Sequence, residues 1–220
     1  MASSSAPRDY QTLIAATSLI AGPLLMAIGD LLHPQERMAA SEQIAILVDH
    51  APRWYTAHLL LFVGVLLFIP GLLALSALTG ERKPAAGYAA RILVLVGTAA
   101  LASIFMGEML VGRFVLDGAD PATAVDLLES MFSGPIVAAV GPALLAFFAG
   151  TALFAIPLIR AGGRAAWAAS SILIGVLLVL AEILTAQVIL SQLGNVLAFC
   201  GSATAAWHIL DGAAGQRSLA

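Results

Sequence analysis

The sequence predicts an all-α membrane protein built as a six-transmembrane-helix bundle. Hydrophobic residues make up 60% of the 220 residues and charged residues 10%, a balance outside the range of soluble domains of this length. Several apolar runs reach the roughly 20 residues that a helix needs to cross the hydrocarbon. The runs are continuous rather than alternating, which argues against β-strands. Backbone groups in lipid must bond within their own segment, so we interpret the runs as helices.

Six spans follow one another within a single domain of residues 12–210. The first ends at Pro34, which disfavours helix at the preceding residue. The second opens with Trp54 and Tyr55 at the interface and ends at Gly80. Polar residues between 185 and 192 divide the last long apolar stretch into two spans. The predicted spans are 12–33, 55–79, 88–112, 134–159, 165–186 and 189–210, with tails at 1–11 and 211–220. In the fourth span, Gly141 and Gly150 are predicted to allow close helix contact.

The two long loops on one side are each predicted to contain a short amphipathic helix. In the first loop Ser41 is a candidate N-cap, the helix runs to His50, and Pro52 ends it. In the second, Asp120 and Pro121 begin a helix that continues through residue 131. The apolar residues expected to face inward are Ile44, Ile46, Leu47, Val125, Leu127 and Leu128. These helices are expected to lie on the bundle or on the membrane surface.

Lys and Arg are distributed unevenly between the two sides of the predicted bundle. One side carries seven, namely Arg8, Arg82, Lys83, Arg91, Arg160, Arg164 and Arg217, and the other carries Arg37, Arg53 and Arg113. Because cytoplasmic loops are enriched in these residues, the sequence predicts a multi-pass protein of the bacterial inner membrane with both termini in the cytoplasm. The net charge of −3 and the absence of a basic cluster predict no nucleic-acid partner.

Three of the spans end in the same short pattern of a small residue, an acid, an apolar residue and a leucine. The acids are Asp30, Glu108 and Glu182. They fall in the first, third and fifth spans, which run the same way, so we expect them at one depth near the outer face. The recurring order of helix, acid, outer segment and helix also suggests three helical hairpins related by a rotation about the membrane normal.

Other polar residues fall at a similar depth. His33 lies one turn beyond Asp30 on the same helix face, and His58 lies one turn inside the second span. The predicted ligand- or proton-binding residues are Asp30, His33, His58, Glu108, Glu182, Gln187, Gln192 and Asn195. Charges in lipid are costly, and the negative end of a helix disfavours a carboxylate. The acids are therefore expected either to be protonated or to lie beside a cation.

Two interpretations of these residues stay open from the sequence. In one, carboxylates and imidazoles bind a divalent metal such as zinc, with Asp30, His33, His58 and Glu108 as ligands. Haem between the two histidines, or copper with the neighbouring methionines, is a weaker variant. In the other, each acid is neutralised locally, Glu108 by Arg113 and Glu182 by Thr185 or a glutamine.

Three functional hypotheses follow. The first is an outward-facing acidic and histidine pocket that binds a cation, a proton or a small ligand in a sensor, carrier or accessory subunit, with no catalysis. The second is a membrane-embedded metal-dependent hydrolase that acts on lipid at the outer leaflet, with Glu108 or Glu182 activating water. The third is a structural subunit of a larger membrane complex or a homo-oligomer, which docks through faces of small residues. All three place the chain in the lipid bilayer.

Overall fold

The computed structural model describes residues 6–34, 39–80, 84–185 and 187–217. Within these ranges the chain is helical and has no strand, and the helices are α1 (Ala6–Leu32), α2 (Ala40–Gly80), α3 (Pro84–Leu116), α4 (Pro121–Met131), α5 (Gly134–Ala161), α6 (Gly163–Thr185) and α7 (Val188–Arg217). Six of these, all but the short α4, are long and apolar enough to cross a membrane. The predicted all-α membrane bundle is confirmed. Arg37, Arg82, Lys83 and Ala186, which enter the predictions above, lie outside the described residues.

The spanning helices are longer than the apolar runs that predict them. The first begins at Ala6 instead of Thr12, the third covers Pro84–Leu116 instead of 88–112, and the last continues to Arg217. An apolar run reports where lipid surrounds a helix, whereas backbone hydrogen bonding continues into the more polar flanks. The division between the last two spans is placed correctly, because α6 ends at Thr185 and α7 begins at Val188.

The six spanning helices form a ring in which each contacts its neighbours along the chain. The order around the ring is α1, α2, α3, α5, α6 and α7, and α7 packs back against α1. The consecutive hairpins α1–α2, α3–α5 and α6–α7 are therefore adjacent units. The helices that carry Asp30, Glu108 and Glu182 occupy alternate positions in this ring, which is the arrangement that three rotated hairpins would give.

Close approach within each hairpin depends on glycine. In the first hairpin, a Cβ at Gly64 would lie 2.9 Å from the Gly22 carbonyl oxygen. In the second, a Cβ at Gly97 would overlap the backbone of Phe147. Gly175 and Gly194 meet backbone to backbone in the third hairpin, where a Cβ at Gly194 would lie 2.6 Å from the Gly175 carbonyl oxygen. Small residues at these positions let the helix axes approach closely, as is typical of packing in lipid.

The two halves of the ring differ in packing. At the end where both termini lie, which we call the terminal end, apolar side chains from all six helices fill the centre. Leu19, Phe68, Phe154 and Ile172 are at most 3% exposed there. At the opposite end, which we call the capped end, a second apolar cluster joins residues 40–54, α3 and α4. The ring is therefore closed at one end by its own core and covered at the other by the loop helices.

The loop helices match the prediction in position but differ in detail. Ile44 and Leu47 are buried and Ile46 is half-buried, and α4 packs through Ala124 and Leu128. Both segments therefore lie on the bundle. The Ser41 cap was predicted wrongly, because the helix already begins at Ala40.

Proline marks a boundary of each loop helix, as predicted. A kink at His50, where φ is −129° and ψ is 23°, separates the first loop helix from the spanning helix that continues to Gly80. Pro52, two residues later, lacks the N–H that would bond the preceding turn. In the second loop, Asp120 takes the predicted N-cap position before Pro121, without a side-chain capping hydrogen bond among the described residues.

Glycine substitutions test this packing. We expect Gly97→Ala to lower the free energy of unfolding by about 1–3 kcal/mol, because the new methyl group overlaps the Phe147 backbone. Gly141 is the matched control, since a Cβ there meets nothing within 4 Å among the described residues. Gly141→Ala should be neutral or stabilise by up to about 1 kcal/mol through helix propensity. Equilibrium unfolding in mixed micelles measures both, and equal effects would contradict the close α3–α5 contact.

Candidate ligand-binding site

The capped half of the ring encloses a cavity of about 1120 Å³. Its walls are mostly apolar and aromatic, and residues from all seven helices line it. The polar residues that the sequence predicts in four of the spans meet here, because Asp30, His33, His58, Glu108 and Glu182 all line this one space. Four of the five are more than nine-tenths buried, and the Glu108 side chain is 17% exposed.

Of the three remaining predicted residues, one lines the cavity and two do not. Asn195 lines the cavity and is buried, whereas Gln187 and Gln192 are not among the lining residues. Gln187 is exposed in the turn before α7. The face of α7 that meets the cavity carries Ser191, Asn195 and Ala198, at the spacing of one helix face. Gln192 is one residue out of that register and is directed elsewhere.

His33, His58 and Glu108 form a direct hydrogen-bonded cluster, which we call the histidine cluster. The Nε2 atoms of the two histidines are 3.3 Å apart, and His58 Nε2 is 3.0 Å from Glu108 Oε2. His33 Nδ1 lies 2.7 Å from the Pro34 carbonyl oxygen, and His58 Nδ1 lies 2.9 Å from the Trp54 carbonyl oxygen. Both Nδ1 atoms therefore point to backbone carbonyls and both Nε2 atoms point to each other.

These contacts determine where protons sit in the histidine cluster. A carbonyl oxygen only accepts, so each Nδ1 must carry the hydrogen. In neutral imidazoles the two Nε2 atoms are then both acceptors, and they converge with a carboxyl oxygen. His58 Nε2 would then contact two other acceptor atoms, His33 Nε2 at 3.3 Å and Glu108 Oε2 at 3.0 Å, and acceptors in contact repel one another. The geometry of the cluster therefore favours a shared proton or another positive charge beside His58.

Asp30 belongs to a second polar group in the cavity. Ser191 donates to Asp30 Oδ1 at 3.2 Å, Asn195 also hydrogen-bonds the Asp30 carboxyl group, and Glu182 lies close enough to interact with it electrostatically. Within the described part of the chain, Asp30 Oδ2 has no hydrogen-bond partner, although only 8% of the residue is exposed. A buried carboxyl oxygen without a hydrogen-bond partner is costly.

The local partners predicted for Glu108 and Glu182, Arg113 and Thr185, bond elsewhere. Arg113 pairs with Asp117 at 2.7 Å instead of reaching Glu108, because Asp117 lies one turn further along the helix. Arg53 donates to the Leu32 carbonyl oxygen. Thr185 donates to the backbone of Ala181. No Lys or Arg is among the described residues that line the cavity.

Trp54 is the functional residue that the sequence interpretation missed. It was predicted as an interfacial anchor, yet it is 2% exposed and its Nε1 donates to the Glu108 carbonyl oxygen at 2.9 Å. Its ring contacts His33 and His58 with centroids 4.8 and 4.5 Å apart. Trp54 and His58 are four residues apart and therefore share one helix face, and this spacing could have predicted that Trp54 lies beside the histidines.

Metal coordination was predicted from Asp30, His33, His58 and Glu108. Across the described residues, no three His, Cys, Asp or Glu side chains are grouped as a metal ion requires. Asp30 bonds to Ser191, apart from the histidine cluster. Haem has no space between imidazoles that touch through their Nε2 atoms, and Met106 and Met109, proposed for copper, do not line the cavity.

The tautomers of the two buried histidines can be measured. We expect neutral His33 and His58 to carry hydrogen on Nδ1, because each Nδ1 faces a backbone carbonyl. Imidazole ¹⁵N chemical shifts of protein labelled at histidine, assigned with His33→Gln and His58→Gln variants, measure this. Exposed His208 serves as the internal reference. Hydrogen on Nε2 of both buried rings would contradict the arrangement.

Comparison with known proteins supplies no relative from which a role for these residues could be taken. The chain matches no protein-family model, no curated protein and no solved structure. What the site does is therefore argued from its own chemistry.

Proposed function

We propose that the chain is a membrane-embedded binding protein that takes a small amphiphilic ligand into this cavity, in a sensor, carrier or accessory subunit. The observation that carries the proposal is the convergence of five polar side chains from α1, α2, α3 and α6 on one mostly apolar cavity. Apolar walls with a few converging polar groups are the usual composition of ligand sites. The polar groups take a proton or a cation as part of the same site.

The size of the cavity supports a ligand larger than a single ion. About 1120 Å³ is at the upper end of the roughly 300–1,000 Å³ typical of small-molecule pockets. Phe68, Phe105 and Phe147 are among the aromatic residues that line it. An apolar group of the ligand would pack against these side chains while its polar group meets the carboxyl groups and histidines.

The first half of α5 is the thinnest part of the wall, and we propose it as the entry side. None of the described residues 134–146 is buried, yet Ile136, Val137, Val140, Gly141 and Leu144 line the cavity. Buried positions on this helix begin at Phe147. Gly141, which was predicted to mediate close helix contact, instead borders open space. An apolar ligand would therefore cross this wall from the lipid.

For the orientation, we propose that the capped end faces the outside of a bacterial inner membrane and that both termini are cytoplasmic. The distribution of Lys and Arg in the sequence supports this. The members of the larger set that lie in described helices, Arg8, Arg91, Arg160, Arg164 and Arg217, belong to the terminal end of the bundle, and Arg53 and Arg113 to the capped end. The cavity would then open toward the outer leaflet.

Contact quenching of Trp54 fluorescence by a nitroxide tests binding. Trp167 and Trp207 are 54% and 64% exposed at the terminal end, so Trp167→Phe with Trp207→Phe leaves Trp54 as the sole reporter. We expect the neutral nitroxide 4-hydroxy-TEMPO to quench Trp54 with saturation, because the probe fills a finite cavity that Trp54 lines. Gly141→Phe should raise the half-saturating concentration several-fold by occupying that space.

The control reporter keeps Trp167 and replaces Trp54 and Trp207 with Phe. Its quenching should increase linearly with probe concentration, as expected for collisions at an exposed site. Linear quenching of Trp54 itself, unchanged by Gly141→Phe, would mean that the cavity does not bind the probe, and the proposal would then be wrong.

A membrane-embedded metal-dependent hydrolase acting on lipid is the second candidate. It is favoured by the two Nε2 atoms 3.3 Å apart, each on a ring whose Nδ1 bonds a backbone carbonyl, a contact that also orients metal-bound histidines. His33 and His58 would be the ligands, and Glu108 or Glu182 would activate water. A third ligand would have to move into place.

Metal content distinguishes the two candidates. Because three suitable ligands are not grouped among the described residues, we expect protein purified without chelator and dialysed against zinc to retain much less than one equivalent. Elemental analysis measures this for the wild type, for His58→Ala, and for the control His208→Ala at an exposed position. One equivalent that is retained by the control and lost in His58→Ala would favour the hydrolase.

A further inference from the structure

We infer that the ligand is an amphiphilic organic cation, an amine or quaternary ammonium compound, whose charged nitrogen binds at Asp30 and Glu182 in exchange for protons. This inference rests on the proposed binding function and names the chemical class of its ligand. It is drawn from the balance of charge in the cavity, from the unsatisfied oxygen of Asp30 and from the aromatic lining.

The ionisable side chains that line the cavity are mainly acidic. Four carboxyl groups line it, those of Asp30, Glu108, Glu129 and Glu182, and no lysine or arginine does so in the described part of the chain. An anionic head group such as a phosphate would be repelled by ionised carboxylates, and it would find two histidines as its only cationic contacts. A cation would be attracted by the same groups, and the low dielectric of the surroundings strengthens that attraction.

Asp30 provides a specific binding position for the positive charge of the ligand. Asp30 is only 8% exposed, and its Oδ2 atom has no hydrogen-bond partner among the described residues. Ser191 already occupies Oδ1. Glu182, from α6, lies close enough for the two carboxyl groups to interact electrostatically. Two neighbouring carboxyl groups, one with an open oxygen, form a site for one positive charge.

The cavity lining also suits the rest of such a ligand. The aromatic residues that line the cavity are Trp54, Phe68, Phe105, Phe132, Phe147 and Phe148. The faces of aromatic rings attract cations, and the attraction is stronger where water is excluded. The same rings provide apolar contact for the hydrocarbon part of the ligand. A neutral or anionic amphiphile would use the apolar contact alone.

Charge balance implies that the cationic ligand is exchanged for protons. Without ligand, Asp30 and Glu182 lie in the last turn of their helices inside the bundle, where an unpaired carboxylate is unfavourable. When the cation binds, the neutral carboxylic acid becomes a carboxylate paired with the ammonium, and the proton leaves to water. No bond to carbon forms or breaks. Binding therefore releases protons, and protons compete with the ligand.

The pH dependence involves every titratable group that lines the cavity together with Asp30. These are His33 directly after α1, His58 on α2, Glu108 on α3, Glu129 on α4 and Glu182 on α6. Protons compete with a permanent cation for the carboxyl groups of Asp30 and Glu182, and a protonated imidazole would repel that cation. The affinity for a permanent cation should therefore fall as the pH is lowered.

The experiment uses nitroxides that share one ring and differ in charge. With Trp54 as the sole tryptophan, quenching is recorded for 4-trimethylammonium-TEMPO, 4-hydroxy-TEMPO and 4-carboxy-TEMPO. We expect the cationic probe to half-saturate at a concentration about tenfold lower than the neutral one, a difference of about 1.4 kcal/mol. The anionic probe should bind more weakly than the neutral one, and lowering the pH should weaken the cationic probe alone.

Substitutions locate the effect. Asp30→Asn and Glu182→Gln each remove a charge with little change of shape, and each should abolish most of the preference for the cationic probe. Asp117→Asn is the matched control, because Asp117 is exposed and pairs with Arg113, and it should keep the preference. The two site variants and the pH series on the unmodified site test the inference separately. A folding defect in one variant therefore leaves the other two measurements to test it.

The outcomes separate the inference from the proposal on which it rests. If all three probes saturate with equal affinity, the cavity binds ligands but does not select cations, and the inference is overturned while the proposed function stands. If none saturates, both are overturned. Preference for the cation that persists in Asp30→Asn and Glu182→Gln would overturn the assignment to these residues.

Discussion

The close contact of helices within each hairpin is the constraint on which the rest of the structure depends. A ring of six helices leaves space at its centre, and that space can persist only where the contacts around the ring are tight. Glycines provide this tightness: Gly22 with Gly64, Gly97 with Phe147, and Gly175 with Gly194. In lipid there is no hydrophobic gain from bringing apolar helices together, so close van der Waals packing has to stabilise the pairs. The cavity is thus a consequence of where glycine allows contact and where bulky side chains fill the centre.

Placement of the polar groups follows from the same ring. A charged side chain that faced lipid would be costly, and in a ring the alternative direction is inward. Asp30, Glu108 and Glu182 belong to the three helices at alternate ring positions, so they enter the cavity from three sides. The two loop helices then cover this end through the cluster of Ile44, Leu47 and Trp54 with Val111 and Leu128.

The sequence predicts the class, the number of spans and the depth of the acids, because each depends on local quantities. Apolar length decides a span, and three helices running the same way put residues near their ends at the same depth. The sequence does not determine which residues share a face across helices. Gln192 and Asn195 look equivalent in the sequence, and only the register of α7 against α1 separates them. Gly141 and Gly150 are another such pair: Gly150 packs against Val94, and Gly141 borders open space.

The two polar groups in the cavity have different capacities for a ligand. The histidine cluster can satisfy itself with one shared proton, since His58 bridges His33 and Glu108 and Trp54 holds the Glu108 backbone. Asp30 has no equivalent bridge for its second oxygen. A ligand that competed for the histidine cluster would have to break existing hydrogen bonds, whereas one that reached Asp30 would add a missing one. For the proposed cationic ligand, we therefore expect recognition to depend more on Asp30 than on the histidine cluster.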